Sequence, residues 1–395
     1  MSPAIYLDCH STTPVDPEVL EAMLPWFTEH FGNAGSHSHR WGEAAGEIVH
    51  QSRQTIAELI GARADEIVFT SGATESNNLA ILGVAGKRRR QRPKLLSLEI
   101  EHPSVIEPLQ RLAKQECQVQ WLPVAGPDPT ETGQLNLDAL KNALDQEVAL
   151  VTLAVANNEI GVLQRIPEIA RRVHEVGAWL HVDASQAVGW EQINVQQWEA
   201  DLISLSAHKF YGPKGMGALF VRSEARYETA RPVRLLPQAV GGGQEHGLRS
   251  GTINVPGIVG MARAMALAFE KRETASVTVA DLRDQLWQRL KQTGRVQLNG
   301  PALNRNLRLP NNLNFRIEGI EGQSLMALVP HLGMSSGSAC SSAEPGVSTV
   351  LTGIGLTEDQ ARCSLRIGLG RMHDVATIQQ AGDDLAAAIQ CLPGP

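Results

Sequence analysis

The feature that most restricts the fold is the alternation of short apolar runs with amphipathic ones over residues 66–222. Strand-like runs fall at 66–70, 94–100, 118–123, 148–156, 179–183, 202–206 and 218–222. Segments 74–86, 104–115, 137–145 and 166–176 repeat apolar residues at the helical period. This pattern predicts an α/β unit built on a mostly parallel sheet. The rest of the chain is less regular. It suggests helix over 255–293, strands near 296–299 and 312–317, a helix at 322–330, a strand at 364–369 and a last helix at 376–391. A smaller α+β unit fits that order. At 395 residues the chain exceeds one ordinary core. The expected division is a large domain over 15–262 and a small one formed by 1–14 and 263–395.

In a parallel α/β sheet, ligands sit beyond the carboxyl ends of the strands. The polar residues of this chain gather there. The run 202–206 leads into Ala207-His208-Lys209, and 179–183 ends in Asp183, with Gln186 three residues on. A lysine amine that forms a Schiff base, with a carboxylate to keep a ring nitrogen protonated, is what pyridoxal phosphate chemistry requires. After 66–70 comes Ser71-Gly72-Ala73-Thr74-Glu75-Ser76, a glycine turn opening a helix. Its N–H groups suit a phosphate, although a plain helix cap with Thr74 reads equally well. His102 follows the run at 94–100, either to lie on an aromatic cofactor and move protons or as a partnerless helix-start histidine. Asn157 and Asn158 follow 148–156, as ligand-binding amides or as a turn. Five strand ends carrying polar groups argue together for a site.

Two more residues stand out. Cys340 sits among small residues, Ser335-Ser336-Gly337-Ser338-Ala339-Cys340-Ser341-Ser342. Such a segment has little to bury, so a mobile tether for a nucleophilic thiol is one reading and a harmless free cysteine the other. Arg366 lies in the apolar run Ser364-Leu365-Arg366-Ile367. It reads as a clamp for a substrate carboxylate or as half of a buried ion pair.

Composition excludes several classes. A net charge of −7 gives no push towards nucleic acid. No 18-residue apolar run predicts a membrane span. Five scattered cysteines do not make a disulfide framework, and the start lacks a signal-peptide pattern, so the cytoplasm is expected. There is no phosphate-binding G-x-x-x-x-G-K-[ST] motif, and the histidines near Cys9 and His39 match no zinc spacing, so no metal is expected.

Taken together, Phe69-Thr70-Ser71-Gly72-Ala73-Thr74-Glu75-Ser76, Asn157-Asn158-Glu159-Ile160-Gly161, His181-Val182-Asp183-Ala184, Ser206-Ala207-His208-Lys209, Arg249-Ser250-Gly251-Thr252 and Ser335-Ser336-Gly337-Ser338-Ala339-Cys340 resemble the NifS/IscS-like cysteine desulfurases with the longer active-cysteine loop. The resemblance runs from Tyr6 to about Arg371. It implies the aspartate aminotransferase-like architecture of pyridoxal phosphate enzymes (fold type I) and a homodimer. It also implies residue roles. Lys209 carries the cofactor, Asp183 pairs with the ring nitrogen, Gln186 bonds the phenolic oxygen and His102 stacks on the ring. Thr74, Ser206 and His208 hold the phosphate beside Ala73, with Thr252 reaching in from the second subunit. Asn158 and Arg366 hold the carboxylate of L-cysteine, and Cys340 takes its sulfur as a persulfide. L-Alanine is the other product, and the sulfur goes to an acceptor or scaffold protein for iron–sulfur clusters or tRNA thiolation. One departure is Cys9-His10-Ser11, where the family has an Asn-rich, Ala-containing start.

The rival readings are a pyridoxal phosphate C–S lyase, a selenocysteine lyase or an aminotransferase of the same fold, and a non-enzymatic sulfur carrier or regulatory protein. A lyase releases pyruvate rather than alanine. Purified protein should be yellow, and Lys209→Ala should lose the visible band and all turnover of cysteine. Turnover by that variant would overturn the reading.

Overall fold

The computed structural model describes residues 4–115, 117–223, 232–336 and 346–393. Cys340 lies outside the described residues. In chain order come β1 (Ile5–Tyr6), α1 (Pro17–Met23), α2 (Pro25–Thr28), α3 (Arg40–Ile60), β2 (Ile67–Thr70), α4 (Ala73–Arg88), β3 (Lys94–Leu98), α5 (Pro103–Ala113), β4 (Gln118–Leu122), α6 (Leu137–Ala143) and β5 (Val148–Ala154). Then follow α7 (Ile166–Glu175), β6 (Trp179–Asp183), α8 (Val195–Trp198), β7 (Leu202–Ser206), β8 (Gly217–Val221), α9 (Val255–Lys291), β9 (Val296–Leu298) and β10 (Asn312–Ile317). The chain closes with α10 (Gly322–Leu328), β11 (Leu332–Gly333), β12 (Ser335–Ser336), α11 (Thr349–Gly353), α12 (Glu358–Arg362), β13 (Ser364–Gly368) and α13 (Val375–Cys391).

Seven strands form the large sheet in the order β2-β8-β7-β6-β5-β3-β4. β8 runs antiparallel to both its neighbours, while the β7-β6-β5-β3-β4 run is parallel throughout. Both faces of the central strands are covered, which is why β5 is almost wholly apolar, whereas β4 at the edge exposes Gln118 and Gln120. Alternate residues serve opposite faces. Val68, Leu95 and Leu150 pack with α4 and α5 on one side. Phe69, Leu96 and Val151 pack with α3, α7 and the first half of α9 on the other. The second sheet, β12-β13-β10-β9, is antiparallel and backs onto α13 and the second half of α9. The two-residue β1 pairs with β11 beside it.

The sequence pattern places the main elements well, with shifts at their ends. The runs at 94–100 and 148–156 stop as strands at Leu98 and Ala154. Both Glu101 carboxylate oxygens take the Ala154 N–H at 3.0 Å, so a side chain replaces the next rung of the ladder. The 21-residue α3 lies outside the predicted helices; it is amphipathic, with Gly42, Ala45, Ser52 and Ala57 beside Val49, Ile56 and Ile60 on its buried stripe. It is capped by His39 Nδ1 at Gly42 N and closed by Gly61 at φ 70°. The predicted helix over 255–293 is one uninterrupted rod of 37 residues. The expected domain change at 262–263 falls inside it. Residues up to Ala268 pack in the large core, and those from Val279 pack in the small one.

One contact ties the sheet to the turn that opens α4. A Cβ on Gly217 would stand 2.6 Å from both Gly72 Cα and Leu205 O. Gly217→Ala should therefore lower stability by about 1–3 kcal/mol and push the Gly72 turn outward. Thermal unfolding and cofactor retention after gel filtration check this; both should fall together.

Candidate active site

The carboxyl ends of β2, β3, β5, β6 and β7 open into one cavity of about 580 Å³. Of the residues singled out in the sequence, Ala73, Thr74, His102, Asn158, Asp183, Gln186, Ser206, His208, Lys209 and Arg366 all line it. Thr252 does not. It is exposed and borders a smaller neighbouring cavity with Ser71, Gly215 and Arg249.

The turn into α4 differs from a plain helix cap. Gly72 occupies the cap position at φ 148°, and no side chain caps the helix. Glu75 instead accepts from Ser71 N at 2.7 Å and pairs with Arg249 at 2.9 Å. The first-turn N–H groups are left for whatever fills the cavity. Thr74 is thus a cavity residue rather than a cap.

Asp183 ends β6. Its carboxylate is buried and accepts from Asn77 Nδ2 at 2.7 Å and from Ser185 N and Oγ at 2.9 and 2.6 Å. All three donors are neutral, and no described cation pairs with it. Two residues back on the same face, His181 bridges Thr152 and Ser204 at 2.7 and 2.9 Å. That line of polar contacts pins β5, β6 and β7 in register beneath Asp183. Asn77 passed unnoticed in the sequence. Its signal was a polar pair, Ser76-Asn77, inside an otherwise apolar helix face.

Lys209 ends a short 3-10 turn after β7, and its Nζ donates to the carbonyls of His10 and Ser11 at 2.5 and 2.9 Å. His208 bonds Thr12 Oγ1 at 3.1 Å, and burial, with Lys209 and Lys214 nearby, pulls its pKa down to about 4. His102 faces the cavity. Its Nδ1 accepts the Ser104 N–H at 3.1 Å, so the neutral ring carries its proton on Nε2. The cavity walls hold this imidazole below its ordinary value. Beside it, burial pushes the Glu101 carboxyl up to about 8, opposed by the Ala154 N–H and aided by the Asp183 charge.

The two asparagines divide. Asn157 folds its own turn, donating to Ile100 O and accepting from Glu159 N and Ile160 N. Asn158 is free to face the cavity, while its carbonyl takes Arg366 Nη1 at 3.2 Å. Arg366 is half of an ion pair, one of its two sequence readings. Its Nη2 pairs with Asp8 at 2.7 Å and donates to Ser11 and Ser335 hydroxyls at 2.8 and 3.0 Å, yet the side chain still borders the cavity. Its Nε is buried without a hydrogen-bond partner.

Residues 5–380 match the aminotransferase class-V family. The chain belongs to that family. It is 45% identical over 378 residues to the cysteine desulfurase IscS of Anaeromyxobacter sp. (strain K), covering 95% of this chain and 90% of that protein. It is 42% identical over 389 residues to the cysteine desulfurase IscS of Rickettsia rickettsii (strain Iowa), covering 98% and 92%. Among solved structures, a NifS-like protein superposes with a TM-score of 0.89 at 31% identity, covering 98% of this chain and 100% of that one. DndA from Streptomyces lividans superposes at 0.77 with 37% identity, covering 93% and 99%.

As a class-V member the protein is an enzyme dependent on pyridoxal phosphate. Three features of the cavity fit that group. The uncapped α4 N-terminus suits a phosphate, the cation-free buried Asp183 suits a protonated ring nitrogen, and the Lys209 amine suits the aldehyde.

The structure also narrows the choice of thiol. Cys9 is 4% exposed, and burial, with Asp8 beside it, pushes its pKa up to about 12. Cys391 is exposed on the last helix. Iodoacetamide at about pH 8 should therefore modify Cys391 in the native protein and leave Cys9 untouched until the chain is unfolded. Peptide mapping by mass spectrometry reads this; equal labelling of the two would show the Cys9 thiol to be open.

Proposed function

We propose that the protein takes sulfur from L-cysteine onto Cys340 and releases L-alanine. It is a cysteine desulfurase, and the observation that carries the reading is the single cavity that gathers Lys209, Asp183, His102 and Arg366 at the strand ends. Arg366, with Asn158 beside it, holds the substrate carboxylate from the cavity wall that both residues line. Bound through Lys209, pyridoxal phosphate supplies an electron sink for the carbon that loses its proton. The Lys209 amine removes that α-proton and can return it. Asp183 would keep the ring nitrogen charged, Gln186 would donate to the phenolic oxygen, and His102 would stack on the ring as a neutral imidazole. Ala73, Thr74, Ser206 and His208 would hold the phosphate.

The Cys340 thiolate then forms a bond to the substrate sulfur as the substrate's C–S bond breaks. The electron pair of that bond stays on the three-carbon skeleton, which is protonated and leaves as alanine. The sulfur remains as the outer atom of a persulfide, ready for an acceptor protein. A homodimer completes the site in this reading, with Thr252 crossing to the other copy's cavity. Two observations support it: Thr252 stands outside its own cavity, and Leu20, Leu24, Phe27, Phe31 and Trp41 are exposed together in the first 41 residues. No described helix is long and apolar enough to cross a membrane, which agrees with a cytoplasmic place for the enzyme.

Cys340→Ser tests the reaction. The cofactor should stay bound, because none of its contacts uses the thiol. Alanine formation should fall by roughly three orders of magnitude or more, the scale on which removing a nucleophile acts. The one-sulfur adduct seen by mass spectrometry after cysteine treatment should vanish. Undiminished alanine from the serine variant, or pyruvate in its place, would overturn the proposal.

A further inference from the structure

The structure gives the buried ring of His10 a defined job. Gln186 Nε2 donates to the His10 carbonyl at 3.0 Å. A carbonyl only accepts, so the Gln186 amide is oriented with Oε1 towards the ring, 3.0 Å from Nδ1. Nδ1 must then carry hydrogen. On the other side of the ring, Asn312 Nδ2 donates to the Glu159 carbonyl at 3.0 Å and lies 3.1 Å from Nε2. By the same logic Nε2 must accept. Two amides, each oriented by a different carbonyl, demand the same tautomer. The ring is 1% exposed. Burial, with the charges of Arg366 and Lys209, pulls its pKa down to about 3 against the Gln186 bond and Asp8, so it stays a neutral donor.

Gln186 thereby spends its oxygen and one amide hydrogen on His10. The second hydrogen is left for the cavity that Gln186 lines. We propose that His10 is a positioning residue that locks Gln186 with its N–H towards the phenolic oxygen of the cofactor. This rests on the reading of Gln186 as that oxygen's partner. The backbone carbonyl of His10 also receives Lys209, so one residue addresses both cofactor contacts, and side-chain substitutions leave the lysine's acceptor in place.

The readout is the pH midpoint of the visible band in the holoenzyme. A donor on the phenolic oxygen favours its anion, which stands bare once the neighbouring linkage nitrogen loses its proton. The donor therefore lowers the midpoint, and its loss raises it. His10→Ala should raise the midpoint by about half to one pH unit, the size of one neutral hydrogen bond on that scale. Gln186→Ala should raise it equally, and His10→Ala added to Gln186→Ala should change nothing more. His10→Asn, whose amide can still donate to Gln186 Oε1, should restore the original midpoint. A shift with Gln186→Ala but none with His10→Ala, or full additivity of the two, would overturn the role of His10 and leave Gln186 in place. No shift with Gln186→Ala would overturn both. If His10→Ala does not fold, histidine-selective ¹⁵N NMR of the native protein decides, with His10→Asn assigning the signal. A proton on Nδ1 is expected, and one on Nε2 would overturn the proposal.

Discussion

The ion pair between the buried Arg366 and the half-buried Asp8 holds the active site together. Two charges taken out of water are unfavourable unless their remaining valences are met. Here Ser11, Ser335 and the Asn158 carbonyl meet most of them, and Ser335 also bonds the second Asp8 oxygen at 2.9 Å. The pair fixes the N-terminal strap against β13, with Cys9 N on Gly368 O at 3.0 Å. From there the strap delivers the carbonyls of His10 and Ser11 to Lys209, and the Thr13 hydroxyl to the His208 carbonyl at 2.9 Å. Residues from both ends of the chain and from its middle meet through this one strap. An arginine suits that place, because a fork of five donors can satisfy a permanent partner and still border a cavity.

Much of the large sheet was legible because its central strands, such as β5, are covered on both faces and so read as largely apolar runs. The residues that terminate those strands carried the site for a related reason. At a carboxyl end the packing constraint stops, and a polar residue such as Asp183 or Lys209 signals a ligand. What stayed hidden was held by contacts distant in sequence. His10 meets Gln186 and Asn312, 176 and 302 residues away. Asn77 meets Asp183 across 106 residues. No local pattern encodes such pairs. Helix α3 has a helical stripe, with Val49, Ile56 and Ile60 buried, but it precedes the alternating region at 66–222 from which the helices were read.

The histidines show how burial sets charge in this enzyme. His181 sits wholly inside the sheet between two hydroxyls, and burial holds its pKa near 4. His174 is bonded to Asp201, and burial, with the Arg222 charge, pulls its pKa down to about 4 against Glu199. At neutral pH these rings are uncharged spacers with directional donors and acceptors. Positive charge around the cavity is thus left to Lys209, Lys214 and Arg366, which border it.

Helix α9 has an architectural consequence. One face of it, up to Ala268, belongs to the large core, and another, from Val279, belongs to the small one. Its 37 residues are a rigid ruler of about 55 Å. Inserting a single residue between the two stretches would advance the second by about 1.5 Å and turn it by about 100°. The sheet bearing Arg366 would then no longer face the sheet bearing Lys209. Length variation among descendants of this sequence should therefore accumulate in loops and spare the middle of α9, which is where the spacing of the two halves is inherited.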